Sequence, residues 1–210
     1  MINKETILDT FHAIQEGLSK DQPTVLKADA LKFVIAGGAI RDLVNLRPIK
    51  DIDVWINCPQ DRRQEERILE LLKPKFTDFV QKGDHERYSD KTYGCKFGDV
   101  DVDIMLVSET RPHSTESFLV SVLESFDFGL CRIGLIEDNV FKTPSVFKTE
   151  EYSHDERNHT ITLCRAQDWK SLERTMLDHY PRLKEKYKER DGWYFSLGQP
   201  IHHRKGVNYV

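Results

Sequence analysis

The run VIAGGAIRDLVNLRPIKDIDVWI at positions 34–56 constrains the fold more than any other part of the chain. The apolar stretch 31–36 reads as a short strand that ends on Gly37-Gly38. Residues 39–46 have helical spacing, and Pro48 keeps that helix from running further. Residues 52–57 set Ile52, Val54 and Ile56 on one side of a second strand. Strand, glycine turn, short helix and strand follow one another too closely for a helical bundle. They require a sheet with a helix laid against it.

The rest of the chain extends that plan. Residues 4–19 place Ile7, Leu8, Phe11, Ile14 and Leu18 on one helical face. Residues 61–72 form a second amphipathic helix stopped by Pro74. Strands are predicted over 76–81, 92–97, 100–107, 129–136 and 160–163, with a helix over 114–124. From 167 to 188 the pattern is helical and interrupted by Pro181, and the aromatic tail after Asp191 is read as irregular. Val140-Phe141-Lys142-Thr143 recurs as Val146-Phe147-Lys148-Thr149, too short for an architectural repeat. Helices and strands in mixed order predict an α+β domain over 1–165. A helical and irregular C-terminal extension over 166–210 is expected to pack on the same domain, because no linker composition separates the two.

Composition narrows the setting. A chain of 210 residues can bury a core of its own. No segment approaches the roughly 18 apolar residues of a membrane span. The start, Met1-Ile2-Asn3-Lys4-Glu5, lacks the basic and apolar parts of a signal peptide, so the expected location is cytoplasmic. Cys58, Cys95, Cys131 and Cys164 form no C-x-x-C pair and read as reduced, mostly buried thiols. His154 and His159 flank a polar turn without a cysteine motif to make a zinc site. The net charge of −4 argues against a general nucleic-acid coat. Basic residues nevertheless outnumber acidic ones beyond Arg165, which suits either a local grip on a polyanion or a solvated helix face.

The chemistry lies in glycines and aspartates. Gly37-Gly38 can take positive φ and bring backbone N–H groups against phosphate oxygens at a helix start, although tight packing turns use the same pair. Asp51 and Asp53 stand two apart and share one strand face. Side-by-side carboxylates repel unless a cation lies between them, and oxygen donors of this kind suit Mg2+ or Mn2+. Asp99, Asp101 and Asp103 repeat the pattern on a later strand. A solvated acidic face explains one such strand, but two of them with a glycine turn favour a metal site. A two-ion arrangement needs a third carboxylate. Asp101 and Asp103, on one face of the later strand, are the candidates. Lys50, Arg182 and Lys186, with His179 near the last two, are the candidate partners of a nucleoside triphosphate (NTP), with surface solubility as the plain alternative for Arg182 and Lys186.

These residues resemble a known family. Gly37-Gly38-Ala39-Ile40-Arg41-Asp42-Leu43 through Arg47, Asp51 and Asp53 is similar in spacing to the stretch GGxVRDxLLGRxxxDxD. That stretch belongs to the head domain of tRNA CCA-adding enzymes and bacterial poly(A) polymerases, within the DNA polymerase β superfamily of nucleotidyltransferases. The resemblance covers roughly residues 30–135. It implies that Gly37 and Gly38 contact a triphosphate, that Asp51, Asp53 and a third aspartate hold the metals, and that Arg41 and Asp42 line or brace the site. Asp103-Ile104-Met105-Leu106-Val107 looks most like the family's third-aspartate strand, so Asp103 is chosen, with Asp101 as the substitute. The family's Arg-Arg-Asp-Phe-Thr-Ile-Asn-Ala segment has only an echo in residues 127–132. No Glu-Asp-x-x-Arg segment for reading bases is present, nor is the large helical tRNA-binding body, so CCA addition is not implied. Ser125-Phe126-Asp127-Phe128 and the 179–187 segment also look like compact nucleotidyltransferase-like proteins of phages and large viruses. The expectation is a stand-alone, metal-dependent enzyme that moves an NMP from an NTP to an acceptor hydroxyl on RNA or tRNA, a protein or a small molecule. A non-catalytic nucleotide- or RNA-binding module of the same fold is the alternative.

Overall fold

Seven strands form one mixed sheet in the order β3-β4-β5-β2-β1-β6-β7 in the computed structural model of the chain. The structure describes residues 2–19, 31–58, 62–83, 91–107, 114–137, 143–164, 172–173, 175–187 and 193–196. In chain order these hold α1 (Lys4–Ser19), β1 (Phe33–Ala36), α2 (Gly38–Val44), β2 (Ile52–Asn57), α3 (Arg62–Leu72), β3 (Thr77–Gly83), β4 (Lys91–Phe97) and β5 (Val100–Val107). There follow α4 (Thr115–Ser125), a 3-10 turn (Gly129–Cys131), β6 (Ile133–Glu137), β7 (Pro144–Lys148), α5 (Glu150–Asn158) and β8 (Thr160–Thr162). A π-helical turn (Thr175–His179) then leads into α6 (Tyr180–Tyr187), and β9 (Tyr194–Ser196) pairs parallel to β8 in a separate two-stranded sheet.

The α+β reading holds, and the sheet is larger than the small one expected. Within it, β2 and β5 are parallel and the other pairings antiparallel. The alternation in β2 and β5 sorts their side chains onto two faces. On one face Ile52, Val54, Ile56, Val102 and Ile104 pack with Ile7, Phe11 and Ile14 of α1 and Ile68 and Leu72 of α3. On the other, Trp55 and Met105 pack with Phe118, Leu119, Val122 and Leu123 of α4. Asp53 and Asp103 belong to this second face, two residues before Trp55 and Met105.

Several local expectations need correction. Of the predicted 129–136 strand only 133–136 are extended, in a strand that runs on to Glu137, since Gly129–Cys131 turns as a 3-10 helix whose closing N–H, from Arg132, meets the Gly129 carbonyl. The polar turn assigned around His154 is instead α5, capped by the Thr149 side chain, with His159 as its left-handed C-cap. Pro181 does not interrupt α6 but sits in its first turn, where proline is tolerated. The tail read as irregular contributes β9. Cys58 and Cys95 are buried and Cys131 and Cys164 half-buried, all four as free thiols. Residues 140–142 of the short repeat lie outside the described residues, as do Arg165, Lys170, Arg174, Lys188, Arg190, Arg204 and Lys205 of the basic segment.

Candidate active site

The parallel register brings the acids together. Asp53 of β2 lies directly beside Asp103 of β5. Asp51 is two residues before Asp53, at the mouth of β2. Desolvation, then the charges of Asp51 and Asp103, push the Asp53 carboxyl up to about 7, against the opposing pull of Arg41 and Lys82. Asp51 and Asp103 are therefore both near enough to Asp53 to oppose its ionisation. Among the described residues, no three His, Cys, Asp or Glu side chains close around a single point tightly enough to ligate an ion as they stand. The reason at Asp103 is visible: the Lys82 ammonium, 2.5 Å from Asp103 Oδ1, holds this carboxylate. Asp101 projects on the same face but is about two-thirds exposed and pairs with Lys96 at 3.1 Å. Of the two candidates for third carboxylate, Asp103 is the one in register with Asp53. As a donor set, three hard carboxylate groups fit a Mg2+ or Mn2+ ion.

The glycine turn borders these acids. Gly37 has φ +87, and an added side chain would meet the Phe126 ring at 3.3 Å. Its N–H donates to the Ile133 carbonyl at 2.9 Å, so this donor serves the sheet rather than a ligand. A side chain on Gly38 would point toward Arg41 Nη2 at 3.7 Å. Arg41 is buried, with Nε donating to Asp42 Oδ1 at 2.9 Å and Nη1 to Cys131 Sγ at 3.3 Å. Burial opposes its charge, but Cys131, Asp42 and Tyr187 more than offset this, so it remains a cation whose field reaches Asp53.

The other predicted residues separate. Lys186 on α6 donates to the buried Asp42 Oδ2 at 2.6 Å, bracing the Arg41–Asp42 pair and fastening the C-terminal helix to α2. Lys50 is exposed and stands 3.8 Å from Asp51. Arg182 lies on the exposed side of α6. His179 does not join them, because its Nδ1 is 3.0 Å from the buried Asp127 Oδ2, which also accepts from Thr175 Oγ1.

Lys82 is the site residue that sequence reasoning missed. It is the extra residue of a β-bulge: Gln81 pairs with Tyr93 and Gly83 with Thr92, leaving Lys82 between them. The available signal was Gly94, an isolated glycine inside a strand, which marks a close approach by another group. Arg132 was likewise seen only as an echo. It forms a buried pair with Glu151 at 3.3 Å and donates to the Glu124 and Phe126 carbonyls, fixing the segment that carries Phe126 beneath Gly37.

No family model matches this sequence, and no curated protein matches it either. Solved structures do. The Thermotoga maritima CCA-adding enzyme complexed with tRNA superimposes with a TM-score of 0.60 at 14% identity, over 93% of this chain and 40% of that one. The Bacillus stearothermophilus CCA-adding enzyme in complex with CTP gives a TM-score of 0.55 at 17% identity, over 93% and 42%. Another CCA-adding enzyme solved with CTP gives 0.59 at 15% identity, over 93% and 41%. The chain thus spans about two-fifths of the length of these enzymes. Sheet, acid register and superposition agree: the chain has the polymerase β-like nucleotidyltransferase fold.

Proposed function

We propose that this protein is a divalent-metal-dependent nucleotidyltransferase that transfers an NMP from an NTP to an acceptor hydroxyl and releases pyrophosphate. The observation that carries this reading is the Asp53–Asp103 register, with Asp51 beside it and the Gly37-Gly38 turn at its border. The acceptor oxygen forms a bond to the α-phosphorus as the bond to the β-phosphate oxygen breaks, and the hydroxyl proton leaves to solvent. A divalent cation held by Asp51, Asp53 and Asp103 supplies charge stabilisation on the phosphoryl oxygens. Arg41 adds a fixed cation whose orientation is set by Asp42, itself braced by Lys186. Gly38 keeps side-chain atoms away from the space next to Arg41. This chemistry works by positioning and charge neutralisation, so it needs no serine or cysteine nucleophile.

An RNA or tRNA end is the acceptor we favour, because Arg182 and Lys184 are exposed cations on α6, the helix that Lys186 fastens beside Arg41. Incubation with each labelled NTP and Mg2+ or Mn2+ in host lysate, followed by RNase or protease, is the test. Label should move onto RNA with the wild-type protein, and Asp51→Ala and Asp53→Ala should abolish it without unfolding the chain. Full transfer by either variant would sink the mechanism. The Lys82–Asp103 pair favours a second reading, a nucleotide- or RNA-binding module without turnover. Mg2+-dependent triphosphate binding in a calorimeter, with no transfer to any acceptor, would select it.

A further inference from the structure

Lys82 reaches Asp103 across an intervening strand. It starts on β3, crosses β4, and ends on β5, and it does so over Gly94, the residue in register with Asp103. A Cβ at Gly94 would stand 2.4 Å from Lys82 Cε, 3.2 Å from its Nζ and 3.3 Å from its Cδ, so its three nearest neighbours would all belong to the lysine. The bulge at Lys82 and the missing side chain at Gly94 are separate features of two strands, and both serve the same contact. Bulges beside functional sites commonly re-aim a side chain. The lysine is half exposed and its charge acts on Asp51 and Asp101 as well as Asp103.

We propose that Lys82 is a tethered counter-cation of the acid site: a positioning residue that occupies Asp103 until a divalent ion displaces it. The inference rests on the reading of Asp51, Asp53 and Asp103 as metal ligands. An ammonium on a flexible stem is a point charge that can leave without disturbing the sheet. While bound, it relieves part of the repulsion among the acids and raises the threshold for metal entry. Once displaced, it remains at the edge of the site as a cation beside the incoming phosphates.

The test is a titration of the full chain with Mn2+ alone, following free hexaaqua Mn2+ by electron paramagnetic resonance. Lys82→Met should tighten Mn2+ binding by about tenfold, the scale of one charge-assisted hydrogen bond. Gly94→Ala should also tighten it, although the lysine and its charge are retained, because the new methyl group occupies the path of the stem. Lys96→Met removes an equal charge from the same face of β4 and should leave binding within about twofold, as expected for an exposed pair. Asp103→Asn should cancel the gain in the Lys82→Met background. Unchanged or weaker binding in both Lys82→Met and Gly94→Ala, with Asp51→Asn still abolishing it, would overturn the role of Lys82 and leave the metal reading standing. Failure of every variant and of the wild type to bind Mn2+ would overturn both. Melting curves in EDTA confirm that each variant is folded.

Discussion

Asp53→Asn in metal-free buffer separates the cost of assembling the acid site from its use. The ordinary carboxyl value of 3.8 rises to about 7 at Asp53, chiefly through burial and then through Asp51 and Asp103. A group whose folded value is raised binds protons in the folded state that the unfolded chain has already lost, so stability falls as pH rises between the two values. With those values, ionised Asp53 costs at most about 4 kcal/mol at pH 8, about 2 at pH 5, and almost nothing below pH 4. Asp53 is only partly buried, so solvent screening trims the pH 8 figure toward about 2–3 kcal/mol. Asparagine keeps the shape and removes the charge. Urea unfolding in EDTA should therefore show the variant more stable than wild type at pH 8, with the gap closing as the pH falls toward 4. A stability difference from wild type that is the same at pH 4 and pH 8, or a variant less stable than wild type at pH 8, would refute the claim that the folded chain holds the Asp53 charge at a cost.

Two further outcomes test the scaffold. Leu46 has φ 53 and is 95% exposed, and it occupies the left-handed position of a Schellman cap: its N–H meets the Leu43 carbonyl and the Arg47 N–H meets that of Asp42. The related motif has glycine there, so Leu46→Gly should stabilise the protein by about 1 kcal/mol in thermal melts, less the unfolded-state entropy of glycine. Arg132→Met leaves Glu151 buried without its cation and should cost about 3–5 kcal/mol in denaturant, with much of the loss recovered by adding Glu151→Leu.

What was legible followed from periodicity. Residues 4–19, 52–57 and 100–107 were predicted with the observed bounds, because each buries one regularly spaced apolar face. The α5 segment escaped for the opposite reason. Its buried residues are Glu151, Tyr152 and Asp155, two acids and a tyrosine, so its helical signal lies in the Thr149 cap and an acidic first turn. Asp155 is satisfied by Thr160 and Thr162 across the turn into β8, a polar core that no hydropathy pattern announces. Pairing Asp53 with Asp103, and not with Asp101, depended on strand order and register. Lys82 depended on a bulge, which alters the side-chain alternation that sequence reading assumes.

The β2–β5 ladder also sets a timetable for folding. β3, β4 and β5 form a meander of near neighbours that can assemble locally, whereas β2 must find β5 across the α3, β3 and β4 segments. Such a long closure loses chain entropy before its contacts repay it, which places it among the slower events of the search. The acids therefore meet only when that parallel pairing forms, whereas Lys82 reaches Asp103 within the more local meander. Lysine and glycine thus belong to the short-range closure, and Asp51 and Asp53 to the long-range one. Refolding of Lys82→Met in EDTA should lag the wild type for that reason, in a stopped-flow experiment that never involves a nucleotide.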